Sequence, residues 1–158
     1  MINHLKLAVG TLAGAGMVPF APGTFGSLVS FLLLYPIAIS YGTTGLFTAI
    51  LVSSALAIWA ADYCESRWGE DPGSFVIDEF AGQAVVLLFL PLTGIFMEDL
   101  PWLIAAFILF RIFDIVKPFG IKRIQHFPSG IGILADDLLA GIYAWILLYF
   151  SYYLLSVM

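Results

Sequence analysis

The sequence predicts an all-α, membrane-embedded fold: a polytopic helical bundle of about five spanning helices plus a short N-terminal helix or re-entrant segment. Three observations carry this expectation. Of the 158 residues, 61% are hydrophobic and only 11% charged, against about 25% charged in soluble domains. Mean hydropathy is +1.02, and a sphere of this size cannot hide so much apolar surface from water. The apolar residues also fall into runs approaching the roughly 20 needed to cross a bilayer, separated by two polar stretches.

The elements follow in order. From Leu5 to Gly26 the chain is apolar but punctuated by Gly10, Gly14, Gly16, Gly23 and Gly26 with Pro19 and Pro22, so a short helix followed by a loop is expected. Lys6 followed by Leu7-Ala8-Val9 imitates a signal peptide, but Gly10 and Gly14 break its apolar core. The first span runs from about Ser27 to Tyr41 and contains Pro36; Gly42-Thr43-Thr44 makes the turn. The second runs from about Gly45 to Ala61, and a polar stretch, Asp62 to Glu79, follows. The third runs from Phe80 to Met97, where Pro91 predicts a kink. Glu98-Asp99 marks a turn, and the fourth span runs from Pro101 to about Val116. A second polar stretch, Lys117 to Asp137, leads into a last helix from about Asp136 to Val157. No internal repeat or linker is visible, so residues 1–158 read as one domain.

Charge excludes some functions and orients the chain. A net charge of −5 and the lack of a basic patch exclude a nucleic-acid partner. Cys64 stands alone, which excludes an internal disulfide and any multi-cysteine metal site. His4 and His126 lie far apart in sequence, and His126 reads as a surface or interfacial residue. Five crossings place Lys6, Arg67, Lys117, Lys122 and Arg123 on one side, with Arg111 just below. The positive-inside rule makes that side cytoplasmic. Nine of the eleven acidic residues lie on or near it; Glu98 and Asp99 face away and are expected to be dispensable. Tyr143, Trp145, Tyr149, Tyr152 and Tyr153 read as lipid-facing or interfacial-belt residues. Nothing in the sequence reports oligomeric state.

The clustering of acids is the most informative feature. Asp78-Glu79 opens the third helix, Asp114 lies near the cytoplasmic end of the fourth, and Asp136-Asp137 opens the last. Three helix ends thus deliver five carboxylates to one level. Charges in spanning segments are costly and usually face the protein interior, where they act. At this density the carboxylates would repel one another unless cations sit among them, and hard divalent ions such as Mg²⁺ take such oxygen ligands. A blander account exists for the pairs: acids in a helix's first turn stabilise its positive end. Asp114, near a C-terminal end, does not fit it. Arg111, Asp114 and Lys117 are spaced i, i+3, i+6 and share a face. They form either a local ion ladder or a cation pair for a phosphate beside a metal ligand.

The segment Pro19 to Ser27 (PFAPGTFGS) is a candidate phosphate cradle, with glycines for close approach, hydroxyls on Thr24 and Ser27, and a helix N-terminus behind them. Thr24 or Ser27 could equally be an N-cap. No Gly-Lys-Ser/Thr follows, so it is not a Walker loop. Gly82 and Ala140-Gly141, each about one turn beyond the acids, would let helices approach closely. Cys64 and Arg67 are too close together for the Cys-x5-Arg arrangement of cysteine phosphatases.

With these residues placed, the pattern resembles the bacterial phosphatidylglycerophosphatase A family. Gly16 to Ser27 (GMVPFAPGTFGS), Asp71 to Gly82 (DPGSFVIDEFAG), Phe110 to Pro118 (FRIFDIVKP) and Gly130 to Gly141 (GIGILADDLLAG) carry the likeness. Together they span nearly the whole chain. The resemblance implies hydrolysis of the terminal phosphate of phosphatidylglycerol phosphate, a Mg²⁺ requirement, and a multi-pass protein of the bacterial cytoplasmic (inner) membrane with its site on the cytoplasmic side. It implies a site of Asp78, Glu79, Asp114, Asp136 and Asp137 as catalytic and metal-binding acids, with Arg111, Lys117, Thr24 and Ser27 toward the phosphate. Two departures, Phe119-Gly120-Ile121 after Lys117-Pro118 and Ser129-Gly130, affect loop shape more than charge.

The expected reaction is phosphomonoester hydrolysis, with one carboxylate as general base and the cations stabilising phosphoryl charge. Which acid is ligand and which is base stays open. A direct water attack is favoured over an aspartyl nucleophile, because the sequence lacks an Asp-x-Asp-x-Thr run. The main rival is a membrane transporter or channel using the clustered acids as a cation site, but that would want charges near mid-membrane. A lipid phosphotransferase would carry an Asp-Gly-x-x-Ala-Arg signature, which is absent.

Overall fold

The computed structural model describes residues 1–125, 127 and 130–157, and the sequence readings at His126 and Ser129 lie outside them. The elements are α1 (Ile2–Gly10), a 3₁₀ turn (Ala15–Met17), α2 (Pro22–Trp68), α3 (Ile77–Leu87), α4 (Phe96–Val116), α5 (Ile121–Ile124) and α6 (Ile131–Val157). No strand occurs among the described residues, as the long apolar runs lead one to expect.

Helix α2 has 47 residues, about 70 Å if straight, more than twice a bilayer's hydrocarbon depth. It breaks at Gly42, whose φ of 57° and ψ of −147° leave the helical region, a conformation that costs glycine least. The residues flanking α2, Ala21 and Asp71, line one common cavity, so the two arms double back on each other. The turn is tighter than expected, since Thr43 and Thr44 already belong to the second arm.

The expectation of about five spanning helices is corrected. Two helices, Pro22–Trp68 and Ile131–Leu155, are long and apolar enough to cross a membrane. The third expected span is an 11-residue helix, about 16 Å long. It starts three residues early, at Ile77, and stops at Leu87, because Pro91 ahead of it can neither donate to the ladder nor clear it. Pro91 therefore lies in a connection rather than at a kink. Helix α4 has 21 residues but carries Glu98, Asp99, Arg111 and Asp114. Helix α1, the short N-terminal helix the sequence predicts, has nine residues, too few to cross.

The molecule is built inside out. Large apolar side chains such as Leu32, Leu51, Ile104 and Ile146 are exposed, while Ala57, Ala60, Ala61, Ala81, Ala84, Ala106, Ala140 and Ala144 are fully buried. In lipid, tails are as apolar as leucine, so helices associate through close packing of small residues. Helix α3 sits at the centre, against α2, α6 and α4. Its crossing with α6 is closest at two glycines. A Cβ on Gly82 would lie 2.7 Å from the Asp137 carbonyl oxygen and 2.5 Å from the Phe110 ring, and one on Gly141 would lie 2.5 Å from the Gly82 carbonyl oxygen.

The far end holds a surprise. Glu98 is exposed as expected, but Asp99 is 1% exposed. Its Oδ1 accepts from the Thr93 N–H at 2.7 Å and the Thr93 hydroxyl at 3.0 Å, and its Oδ2 from the Gly94 N–H at 3.0 Å and the Tyr35 hydroxyl at 2.9 Å. Asp99 thus closes the irregular 88–95 connection onto both α4 and α2. Asp99→Asn turns one acceptor into a donor facing donors. It should cost about 1–3 kcal/mol of stability, seen as a lowered Tm in detergent, while Glu98→Gln stays within about 0.5 kcal/mol. Equal Tm values for the two variants would contradict this role.

Candidate active site

The acids come together, and not for the reason helix ends usually attract them. Asp78 and Glu79 sit in the first turn of α3, where the dipole account applies, yet they are only 3% and 7% exposed. Helix α6 begins at Ile131, so Asp136 and Asp137 lie beyond its first turn. The dipole effect has faded there, so some other demand keeps two acids in that wall.

Two cations join the helices. Arg111 Nη1 lies 3.0 Å from Glu79 Oε2 and 2.7 Å from Asp114 Oδ2, and donates to Ser27 Oγ at 3.3 Å. Ser27 in turn donates to Glu79 Oε2. The ion ladder expected along α4 is therefore real for Arg111 and Asp114, but Lys117 leaves it. Lys117 closes α4 with a left-handed φ of 47° and turns its ammonium to Asp136, with Asp71 Oδ2 at 3.6 Å. Burial alone would lower the Lys117 pKa, but the hydrogen bond and charge of Asp136, with Asp71 and Asp114 beyond, hold it above the ordinary lysine value.

These side chains line one cavity of about 380 Å³. Thr24, Asp78, Glu79, Arg111, Asp114, Lys117, Asp136 and Asp137 all face it. Ser27, expected toward the phosphate, does not; it is buried behind the wall and positions Glu79 and Arg111. Neither Thr24 nor Ser27 caps α2, whose N-cap position is Ala21 and carries no side-chain cap. Cys64 packs against Gly10, outside the cavity. Sequence reasoning missed Asp71, a sixth carboxylate on the cavity, which also accepts from Gln125. A signal was present: Asp71-Pro72-Gly73 is a turn tripeptide inside a stretch already singled out.

Backbone strain gathers here. Of the six non-glycine residues with positive φ among the described residues, Ala21, Asp71 and Lys117 line the cavity. Such conformations cost about 1–3 kcal/mol each and persist where surrounding structure enforces them, often at active sites. Gly23 shows the same tightness, since a Cβ there would lie 2.4 Å from Glu79 Oε1 and 3.2 Å from an Arg111 nitrogen.

With this geometry in hand, known proteins are informative. The family model for phosphatidylglycerophosphatase A matches residues 8–152. The chain belongs to the phosphatidylglycerophosphatase A family. It is thus an enzyme of the phosphoric monoester hydrolase class. A Bacteroides thetaiotaomicron protein named "Putative phosphatidylinositol-3-phosphatase" is 40% identical over 155 residues, covering 92% of both chains. The phosphatidylglycerophosphatase A of Haemophilus influenzae is 40% identical, covering 92% of this chain and 86% of its own. That of Escherichia coli is 33% identical, covering 93% and 81%. No solved structure matches.

For this family member the donor set suits a hard divalent ion in kind. Asp136 Oδ1 is buried without a hydrogen-bond partner. The Asp137 carboxylate forms no hydrogen bond or ion pair among the described residues, and Asp78 accepts only the Glu79 N–H at 2.9 Å. As placed, no three acid, histidine or cysteine side chains among the described residues converge on one ion position. Free oxygens are present; their convergence is not.

The Gly23 contact makes a prediction. Gly23→Ala pushes a methyl into the Glu79–Arg111 pair and should lower kcat/KM about tenfold or more, with Tm changed by only a few degrees. A rate within about twofold of the parent would show that the cradle is not part of the site.

Proposed function

We propose that this protein hydrolyses the terminal phosphomonoester of phosphatidylglycerol phosphate to give phosphatidylglycerol, with Mg²⁺, as a multi-pass protein of a bacterial inner membrane whose site faces the cytoplasm. The observation that carries this reading is the charge of the cavity. Six carboxylates face two cations, and a dianionic phosphate could not join them without added positive charge. The names of the Haemophilus influenzae and Escherichia coli relatives support the choice of lipid.

Asp78, Asp136 and Asp137, which keep oxygens free of strong partners, would hold the ion, with Glu79 and Asp114 at the edge of the set. Bound there, Mg²⁺ would offset phosphoryl charge and make a water more acidic. Arg111 and Lys117 would stabilise charge on the phosphoryl oxygens. Thr24 and the free N–H groups at the start of α2 would hold the phosphate from the other side. One carboxylate would take the proton of the attacking water.

The orientation follows from charge along the helices. Arg111 and Lys117 lie at the cavity, and Lys6 stacks on Trp59 of the returning arm of α2, 5.4 Å from its ring centroid. Glu98 and Asp99 sit at the opposite end of α4. By the positive-inside rule the cavity end is cytoplasmic. In a Cys64→Ser background, single cysteines at Thr43 and Ser66 should label from opposite sides of the membrane; labelling from the same side would refute this arrangement.

The Bacteroides thetaiotaomicron relative's name points to the same chemistry on an inositol headgroup. Purified protein should be given phosphatidylglycerol phosphate and phosphatidylinositol 3-phosphate in turn, with chelator and then with Mg²⁺. Phosphate release from the first, abolished by chelator and restored by Mg²⁺, is expected; release only from the second would transfer the activity to inositol lipids. Asp78→Asn, Asp114→Asn and Asp137→Asn should each lose most activity while remaining folded. Full activity in excess chelator would overturn the metal reading.

A further inference from the structure

Beside the cavity, between α4 and α6, runs a second groove of about 260 Å³ lined by Phe113, Phe119, Tyr143, Ile146, Leu147 and Phe150. It is apolar throughout and open at the protein surface. We propose that it holds an acyl chain of the lipid whose phosphate enters the cavity, and that Tyr143 and Phe119 form its mouth. The proposal rests on the reading of the cavity as a phosphomonoester site.

Continuity is the first argument. Phe113 and Phe119 bracket Asp114 and Lys117, which line the cavity. On α6, Asp136, Tyr143 and Phe150 are spaced i, i+7, i+14 and form one stripe. The stripe begins in the cavity and ends in the groove. The Lys117–Asp136 ion pair marks the border between the two.

Dimension is the second. From Asp136 to Tyr143 is seven residues, roughly 10 Å along the helix. In a lipid of this kind, the terminal phosphorus and the first acyl carbonyl are eleven bonds apart, roughly 13 Å extended at the reach per bond of a polypeptide. A phosphate in the cavity therefore places the start of an acyl chain at Tyr143. Ile146, Leu147 and Phe150 follow at the next two turns, where the chain would run.

The mouth is built, which is the third argument. The Tyr143 hydroxyl donates to the Phe119 carbonyl at 3.1 Å. The Tyr143 ring meets the edges of Phe113 and Phe119, with centroids 5.8 and 6.2 Å away. Phe119 itself has a φ of 50° between Lys117 at 47° and Gly120 at 94°. These left-handed residues, with Pro118 between the first two, turn Lys117 into the cavity and Phe119 onto the groove. Tyr143, which sequence reasoning assigned to a lipid-facing belt, is half-buried and holds that turn in place.

The test separates the groove from the reaction. In phosphatidylcholine vesicles, a phosphatidylglycerol phosphate carrying a diazirine in one acyl chain should label Ile146, Leu147 and Phe150 on immediate illumination. Unlabelled phosphatidylglycerol phosphate should displace it, and diacylglycerol should not. Leu147→Trp, which fills the groove, should abolish this labelling, whereas Ile108→Trp, on the lipid-facing side of α4, should retain it. Labelling spread evenly over the lipid-facing helices, or displaced equally by both competitors, would mean an ordinary boundary lipid and overturn the proposal. In the kinetic arm, Leu147→Trp should raise KM for phosphatidylglycerol phosphate about fivefold or more. Its kcat/KM for the deacylated glycerophosphoglycerol phosphate should stay within about twofold of the parent. Equal losses on both substrates would also overturn the groove. If the parent hydrolyses neither substrate, the proposed reaction falls, and the labelling pattern alone decides the groove.

Discussion

The close crossing of α3 and α6 at Gly82 and Gly141 is the contact on which the remainder of the molecule depends. Either glycine with a Cβ would press into backbone of the other helix. In hydrocarbon no expulsion of water holds helices together, so distance of approach decides how well they associate. The crossing also sets the level of the acids. Asp78 and Glu79 lie just above Gly82 on α3, and Asp136 and Asp137 just above Gly141 on α6. Phe110 of α4 closes against Gly82, and the next residue along is Arg111. One packing contact thus brings three helices' charged residues to a common cavity.

What those charges do to stability is a separate matter. Arg111 ties α4 to α3 through Glu79 and to α2 through Ser27. Lys117 ties the end of α4 to α6 through Asp136 and to the loop after α2 through Asp71. Buried ion pairs repay their desolvation poorly, and apolar replacements are often as stable. Here four more carboxylates are present than cations, and three cavity residues hold left-handed backbone. A wall arranged for stability would have neither feature. Both fit the proposed reading, in which the cavity would accept cation and phosphate together, and the packing of α3 supplies the stability that the cavity does not.

The two ends of the bundle use acids in opposite ways. Asp99 satisfies four donors in an irregular connection and is complete within the protein. Asp137 and one oxygen of Asp136 have no hydrogen-bond partner among the described residues. A carboxylate whose hydrogen bonds are all made locks structure, and one left unpaired in a cavity is available to a ligand. On the proposed reading, the apolar outer face and the groove between α4 and α6 would let a substrate arrive from the bilayer rather than from water.

The sequence by itself determined much of this protein. Composition made it helical and membrane-associated, because only lipid can cover so much apolar surface. The four motifs named the family, and the one-sided acids and bases marked seven of the cavity's residues, because charges are too costly in such a chain to be placed without purpose. Tertiary structure decided the rest. Asp99 looked like an exposed turn residue until the 93–95 backbone folded over it, since burial depends on what packs above a residue and not on its neighbours in sequence. Asp71 could be assigned to the cavity only once the turn after α2 was closed by Lys117. Ser27 moved behind the wall, because a hydroxyl's role depends on which donor and acceptor it meets. The third span became a half-length helix because Pro91 limits the ladder, while hydropathy counts only side chains. Apolar runs and charge are properties of residues, so they are legible in order; partners and depth are properties of packing, which only the folded chain defines.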